Sequence, residues 1–136
     1  MNGETDLQKL IASINPCLNM GSYVFCTVKV LPTCLDNLVL FFRESEGFTI
    51  VCTSEFANIN QWDYCGIFSW LTLEVHSSLE AVGLTASFSE VLAENNISCN
   101  VVAGFYHDHI FVPEHQASEA KSILEQLSKN SKSAQL

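Results

Sequence analysis

The sequence predicts an α+β protein of ferredoxin-like type, with an eroded copy of one unit ahead of a well-patterned copy. Three observations carry this. From Ile67 the chain reads strand, helix, strand, strand, helix, which is a β-α-β-β-α-β unit short of its last strand. Residues 1–66 and the strand that follows offer strand, short loop, hairpin, short helix and strand, the same order with the first helix worn away. With 136 residues, 48% hydrophobic and 15% charged, the chain can bury a core and is not disordered.

The elements follow in order. Leu7, Leu10 and Ile11 recur at helical spacing within Glu4–Ser13, and Asn15-Pro16 stops that helix. Gly21-Ser22 is a turn, and Tyr23–Val30 is a strand rich in β-branched and aromatic residues. Leu38–Arg43 and Phe48–Thr53 form a hairpin through Glu44-Ser45-Glu46-Gly47, where Gly47 can take positive φ. Ser54 is expected to cap a short helix to Asn60.

In the strand from Ile67 to His76, Leu71, Leu73 and Val75 alternate with Thr72, Glu74 and His76, so one face meets the core. Leu84, Phe88, Val91 and Leu92 make a helical stripe, with Ser87 and Glu90 spaced as an internal capping box. Asn95-Asn96 ends that helix, because Asn tolerates the left-handed conformation. Ile97–Phe105 is a strand with Cys99, Val101 and Ala103 on one face and Ser98, Asn100 and Val102 on the other. His109–Val112 is the next strand, and Ala117, Ala120, Ile123, Leu124 and Leu127 stripe the last helix.

The expected organisation is an N-terminal degenerate module over 1–66, a complete-looking module over 67–130 and a polar, frayed tail over 131–136. The second module needs a last strand to cover its open sheet edge. That strand must come from the first half of the chain or from another subunit.

Charge limits the function. The 15 acidic and 6 basic residues leave a formal charge of -9, which excludes nucleic acid and an anionic membrane surface as partners. No Lys or Arg occurs between Arg43 and Lys121, so an anionic ligand group there must rest on backbone N–H groups, best at a helix start. Cys17, Cys26, Cys34, Cys52, Cys65 and Cys99 contain no C-x-x-C pair, and several sit in apolar runs. No signal peptide or apolar run long enough to span a bilayer is evident. These features predict a soluble cytoplasmic protein with free thiols.

The loop from Ser77 to Thr85 is the best candidate for ligand chemistry. Gly83 permits close backbone approach, and the helix that follows presents N–H groups to a carboxylate. Asn100 adds a donor and an acceptor, and Glu80 or Asp108 could meet an ammonium or guanidinium. The same stretch also fits an ordinary strand-to-helix turn capped by Thr85. His107 and His109, two apart on a strand, could join His76 around a divalent metal, although H-x-H is a weak signal. Cys99 lacks the electropositive setting of a nucleophile. Trp62, Trp70, Phe41, Phe42 and Phe68 are expected to be core or packing residues.

The runs Val82-Gly83-Leu84-Thr85-Ala86, Leu92–Ser98 and Ala117–Ala120 resemble ACT domains, the ligand-sensing modules of amino-acid metabolism. Tyr23–Thr27, Leu73–Ala86, Ile97–Gly104 and His107–Pro113 are similar to runs in small bacterial proteins with two such modules. Phe105–Glu114 also resembles a strand pair of eukaryotic cytosolic arginine sensors. The resemblance implies two ACT-like antiparallel sandwiches, the first degenerate, that pair side by side and bind an amino acid at the seam. It implies contacts from Gly83, Leu84 and Thr85 in the loop and from Asn100, Val101 and Val102 on the strand, with Asp108 toward a cationic group and Ser77 and Glu80 in the same loop. Ser78-Leu79-Glu80 and Val82 stand where the family often has Asp and Pro. The expectation is a regulatory sensor without catalysis or cofactor, acting as a homo-oligomer; the alternative is a ligand-free assembly module, and the third a metal-binding protein.

Overall fold

The computed structural model describes residues 6–75 and 77–134. They divide into two compact units, one of Met1–Met20 with Ser69–Leu136 and one of Gly21–Phe68. His76, placed in the sequence-predicted strand and in the metal group, lies outside the described residues, as do Glu4 and Thr5 of the first predicted helix.

The elements in chain order are α1 (Leu7–Ala12), β1 (Pro16–Leu18), β2 (Tyr23–Val28), β3 (Leu38–Glu44), β4 (Gly47–Thr53), α2 (Ser54–Ile59), β5 (Phe68–Leu73), α3 (Leu84–Glu94), β6 (Asn100–Ala103), β7 (Asp108–Pro113) and α4 (Ala117–Ala134). A single 3-10 turn at Glu114–Gln116 leads into α4.

In the unit formed by both chain ends, the strands lie in the order β1, β5, β7, β6. β1 supplies the last strand that residues 67–130 lack. Pro16, Cys17 and Leu18 pair antiparallel with Leu73, Thr72 and Leu71. Backbone hydrogen bonds from Asn19 N to Trp70 O (2.9 Å) and from Glu74 N to Asn15 O (3.0 Å) close the ladder at either end. Three residues are too few to show a strand period, and the Pro reads locally as a helix stop.

The alternation of β5 now has a reason. Leu71, Leu73 and Val75 are buried with Ile110 and Val112, beneath Leu84, Phe88 and Leu92 of α3, Ala120 and Leu124 of α4, and Leu10 and Ile11 of α1. Phe88 is fully buried, and emptying such a site costs about 3–5 kcal/mol. Trp70 and Phe111 stack on the opposite face, with ring centroids 6.2 Å apart.

Several local expectations are corrected. The tail is not frayed at 131: α4 continues to Ala134, because Ser128 and Ser131 serve α1. Ser128 Oγ donates to Ala12 O (2.7 Å) and Ser131 Oγ to Gln8 O (3.2 Å), so hydroxyls that look like surface residues take carbonyls of a short helix. Thr53, not Ser54, caps α2, accepting from Phe56 N. Ser87 forms no capping box with Glu90; its hydroxyl donates back to Gly83 O (2.9 Å). Thr85 does not cap α3, whose N-cap is Gly83 with no side-chain bond. Asn96 takes φ 58° just past α3, as left-handed termination requires.

In the Gly21–Phe68 unit the order is β3, β4, β2, all antiparallel. The loop between β2 and β3 stands where the better-kept unit has α3. Val24, Cys26, Ile50, Cys52 and Ala57 form its core, with Phe56 and Trp62 packed against it. Gly47 follows the two-residue turn at φ 150°, and a Cβ there would stand 2.7 Å from Val28 O. Phe41 and Phe42 are not core: β3 is the outer strand of this unit, and both rings are exposed.

The α1–α4 contact makes a direct prediction. Ser128→Ala leaves the buried Ala12 carbonyl without its donor and is expected to cost about 1–3 kcal/mol in urea unfolding. An unchanged midpoint would show that this end of α4 contributes nothing.

Candidate functional site

Within the unit of both chain ends, the start of α3 and the far end of the β6–β7 hairpin enclose a small cavity of about 70 Å³. Ser77, Ser78, Leu79 and Ala81 line it from the loop, Leu84 and Thr85 from α3, and Ala103 and Asp108 from the hairpin. It is far below the roughly 300–1,000 Å³ of drug-sized sites.

Each wall follows from its local sequence. Gly83 adopts φ 98°, turning the chain so that α3 begins at Leu84. Its missing Cβ matters, since one would meet Leu7 Cδ2 at 3.1 Å. No side chain caps α3, so its first N–H groups lack intrahelical acceptors and carry the positive end of the helix dipole. The β6–β7 pairing sets Ala103 opposite Asp108 at the turn, with Gly104 N donating to His107 O (2.9 Å).

Asp108 is the unusual residue. It is only 7% exposed. Among the described residues its carboxyl has no hydrogen-bond or ion-pair partner, and its oxygens are not among the fully buried atoms left without one, so they keep access to the cavity that they line. Burial pushes its pKa above the usual carboxylate value. A buried acid beside a helix start gives one cavity a cation-seeking wall and an anion-seeking wall.

The sequence-predicted residues divide cleanly. Ser77, Leu84, Thr85 and Asp108 line the cavity. Gly83 sets the helix start but does not line it, and Glu80 is exposed, its N–H bonded to Ser78 Oγ (3.1 Å). Asn100, Val101 and Val102 do not reach it. Asn100 sits opposite Phe111, at the other end of β6 from Ala103, and its Nδ2 donates to Phe111 O (3.3 Å). Val101 packs on the core instead. Three residues of strand cover about 10 Å, so the helix start faces the hairpin turn and not Asn100. Ser78, Leu79, Ala81 and Ala103 are additional lining residues; only their proximity to the loop and turn hinted at them.

The histidines have other work. Trp70 Nε1 donates to His109 Nδ1 (3.0 Å). Indole is a donor only, so neutral His109 carries its proton on Nε2. Burial, then the neighbouring His107, lowers the pKa of His109. His107 Nδ1 is buried without a partner. Among the described residues no three His, Cys, Asp or Glu side chains are grouped for a metal.

All six cysteines are free, and burial pushes Cys99 up to about 11, a protonated thiol at neutral pH. A wider, open groove of about 530 Å³ lies between α3 and the segment before β6, with Glu90 as its one charged lining residue. Among the described residues, no helix is long and apolar enough to cross a membrane.

Comparison with known proteins agrees with this geometry. Two family models, both of the ACT domain, match residues 2–69 and 68–126. The chain belongs to the ACT-domain family. Its two modules have the ferredoxin-like ACT fold, and ACT domains are regulatory modules for small ligands. A Vibrio cholerae protein of unknown function, described as a possible transport protein, is 44% identical over 90% of this chain and 95% of its own, with a TM-score of 0.81. A protein of Agrobacterium tumefaciens is 20% identical, covering 85% of this chain and 89% of its own at TM-score 0.69, which shows the shared fold. The regulatory subunit of aspartate kinase from Thermus thermophilus shares the fold at 7% identity and TM-score 0.62, over 85% of this chain and 97% of its own. No relative is found among curated proteins. The ACT models meet at 68–69, whereas the spatial units also exchange the first twenty residues.

A buried acid without a partner among the described residues carries a stability cost once it ionises. Below the ordinary carboxylate pKa, Asp108 is protonated both folded and unfolded and costs nothing extra. As pH rises through its raised folded pKa, the folded state must bury a charge and loses stability. Asp108→Asn is therefore expected to raise the melting temperature at neutral pH by the few degrees that about 1 kcal/mol gives a domain of this size. The gap should close in acid. Equal melting at every pH would mean that the carboxyl is already compensated.

Proposed function

We propose that this protein is a non-catalytic regulatory sensor that holds the head group of an amino acid in the Asp108 cavity. One observation carries the reading: the Asp108 carboxyl, on a buried residue and without a partner among the described residues, shares a 70 Å³ cavity with the uncapped start of α3. An α-ammonium on Asp108 compensates the buried charge, and an α-carboxylate rests on the N–H groups at Leu84 and Thr85. The absence of Lys and Arg from residues 44–120 leaves the backbone as the anion's partner. The size of the cavity suits a head group, with the side chain outside it.

In this reading, ligand and resident loop compete for two states of the module, and the bound state differs where the loop meets the hairpin turn. Such a difference is what a regulated partner or a second subunit reads. The protein then works in the cytoplasm as a homo-oligomer. A purely structural assembly module is the second reading, and the same experiment separates the two.

The test is a thermal-shift screen of the twenty amino acids at millimolar concentration, followed by calorimetry. A ligand at 100 times its Kd stabilises by about 2.7 kcal/mol. Asp108→Asn is expected to weaken binding at least tenfold while the variant melts no lower than wild type. Asn100→Ala, outside the cavity, should leave affinity unchanged. Affinity should rise with pH through the raised pKa of Asp108, because only the carboxylate pairs with an ammonium. If no amino acid shifts melting, the sensor reading fails and the assembly module stands.

A further inference from the structure

The exposed apolar residues of this unit are not scattered. Six large ones are Leu18, Met20, Leu79, Val82, Phe105 and Tyr106, and four of them belong to the two segments that wall the Asp108 cavity. Leu79 lines the cavity yet is 68% exposed. Val82, 83% exposed, precedes the Gly83 cap. Phe105 and Tyr106, 61% and 62% exposed, form the hairpin turn between the lining residues Ala103 and Asp108. Their rings meet edge to face, with centroids 5.0 Å apart. Such an arrangement presents a shaped apolar surface beside a polar cavity, and apolar surface clustered in this way marks a binding site.

We infer that the ligand of this site is an amino acid with a large apolar or aromatic side chain, which leaves the cavity and packs on Leu79, Phe105 and Tyr106. The inference rests on the sensor reading and names its ligand class. The cavity holds the zwitterionic head and little more, so a side chain longer than a methyl must lie on its rim. Exposed apolar residues belong to both flanking segments, Leu79 and Val82 in the loop and Phe105 and Tyr106 in the turn. None of the residues lining the cavity is basic, so an acidic side chain finds no charged partner in its walls. With Asp108 taken by the ammonium, a cationic side chain finds in this loop the exposed carboxylate of Glu80, which solvent screens. Burial of one apolar ring on the rim outweighs a pair that solvent screens in this way.

The experiment compares dissociation constants for phenylalanine, leucine, alanine, aspartate and arginine with the full chain at neutral pH. Phenylalanine or leucine should bind at least tenfold more tightly than alanine, and aspartate most weakly. Phe105→Ser and, separately, Tyr106→Ser should each bring the phenylalanine-to-alanine ratio toward one without changing the alanine constant. Both positions are exposed, so both variants should melt like wild type. Equal affinity for alanine and phenylalanine, or tightest binding of arginine or aspartate, overturns the ligand class and leaves the sensor reading standing. Absence of binding by all five overturns both.

Discussion

The three-residue strand Pro16–Leu18 is the constraint on which the better-kept module depends. Its pairing with Leu71–Leu73 fills the last strand position and covers the side of β5 away from β7. A strand edge left bare there would expose the backbone groups of a strand whose one face lies in the core. The same N-terminal segment carries α1, which docks on α4 through Ser128 and Ser131 and lays Leu10 and Ile11 into the core. Residues 6–20 are therefore structural parts of a module that otherwise begins near residue 69.

That frame explains how the site tolerates an unfavourable group. Leu84 and the buried β7 residues Ile110 and Val112 belong to one core, so the α3 start and the hairpin turn are each tied to well-packed elements. Asp108 opens β7 beside those buried residues and inherits their exclusion from water. A carboxyl placed in this way is costly to the folded protein once it ionises, because burial opposes the charge.

The helix stripe of α3 and the alternation of β5 were legible because burial on one face imposes a period. Leu84, Phe88 and Leu92 and then Leu71, Leu73 and Val75 all fall in one core. Gly83 was legible because positive φ favours glycine. β1 was not, since three residues beside a proline carry no period. The extension of α4 was missed because Ser128 and Ser131 look like surface residues until the carbonyls of α1 are placed opposite them. Trp62 packs as expected, but Phe41 and Phe42 show that aromatic composition does not say which strand lies at an edge.

By itself the sequence determined the two-module ACT-type order, the cores and the segment holding the helix start, because periodicity and turn chemistry are local properties. Only the tertiary structure decided which residues meet across that start. Strand register sets Ala103 and Asp108, and not Asn100, at the turn facing α3. Register is a pairing between distant segments, and a shift of a few residues along an extended strand moves a side chain by about 10 Å. Such a shift alters no local pattern in the chain, yet it selects the acid at the cavity.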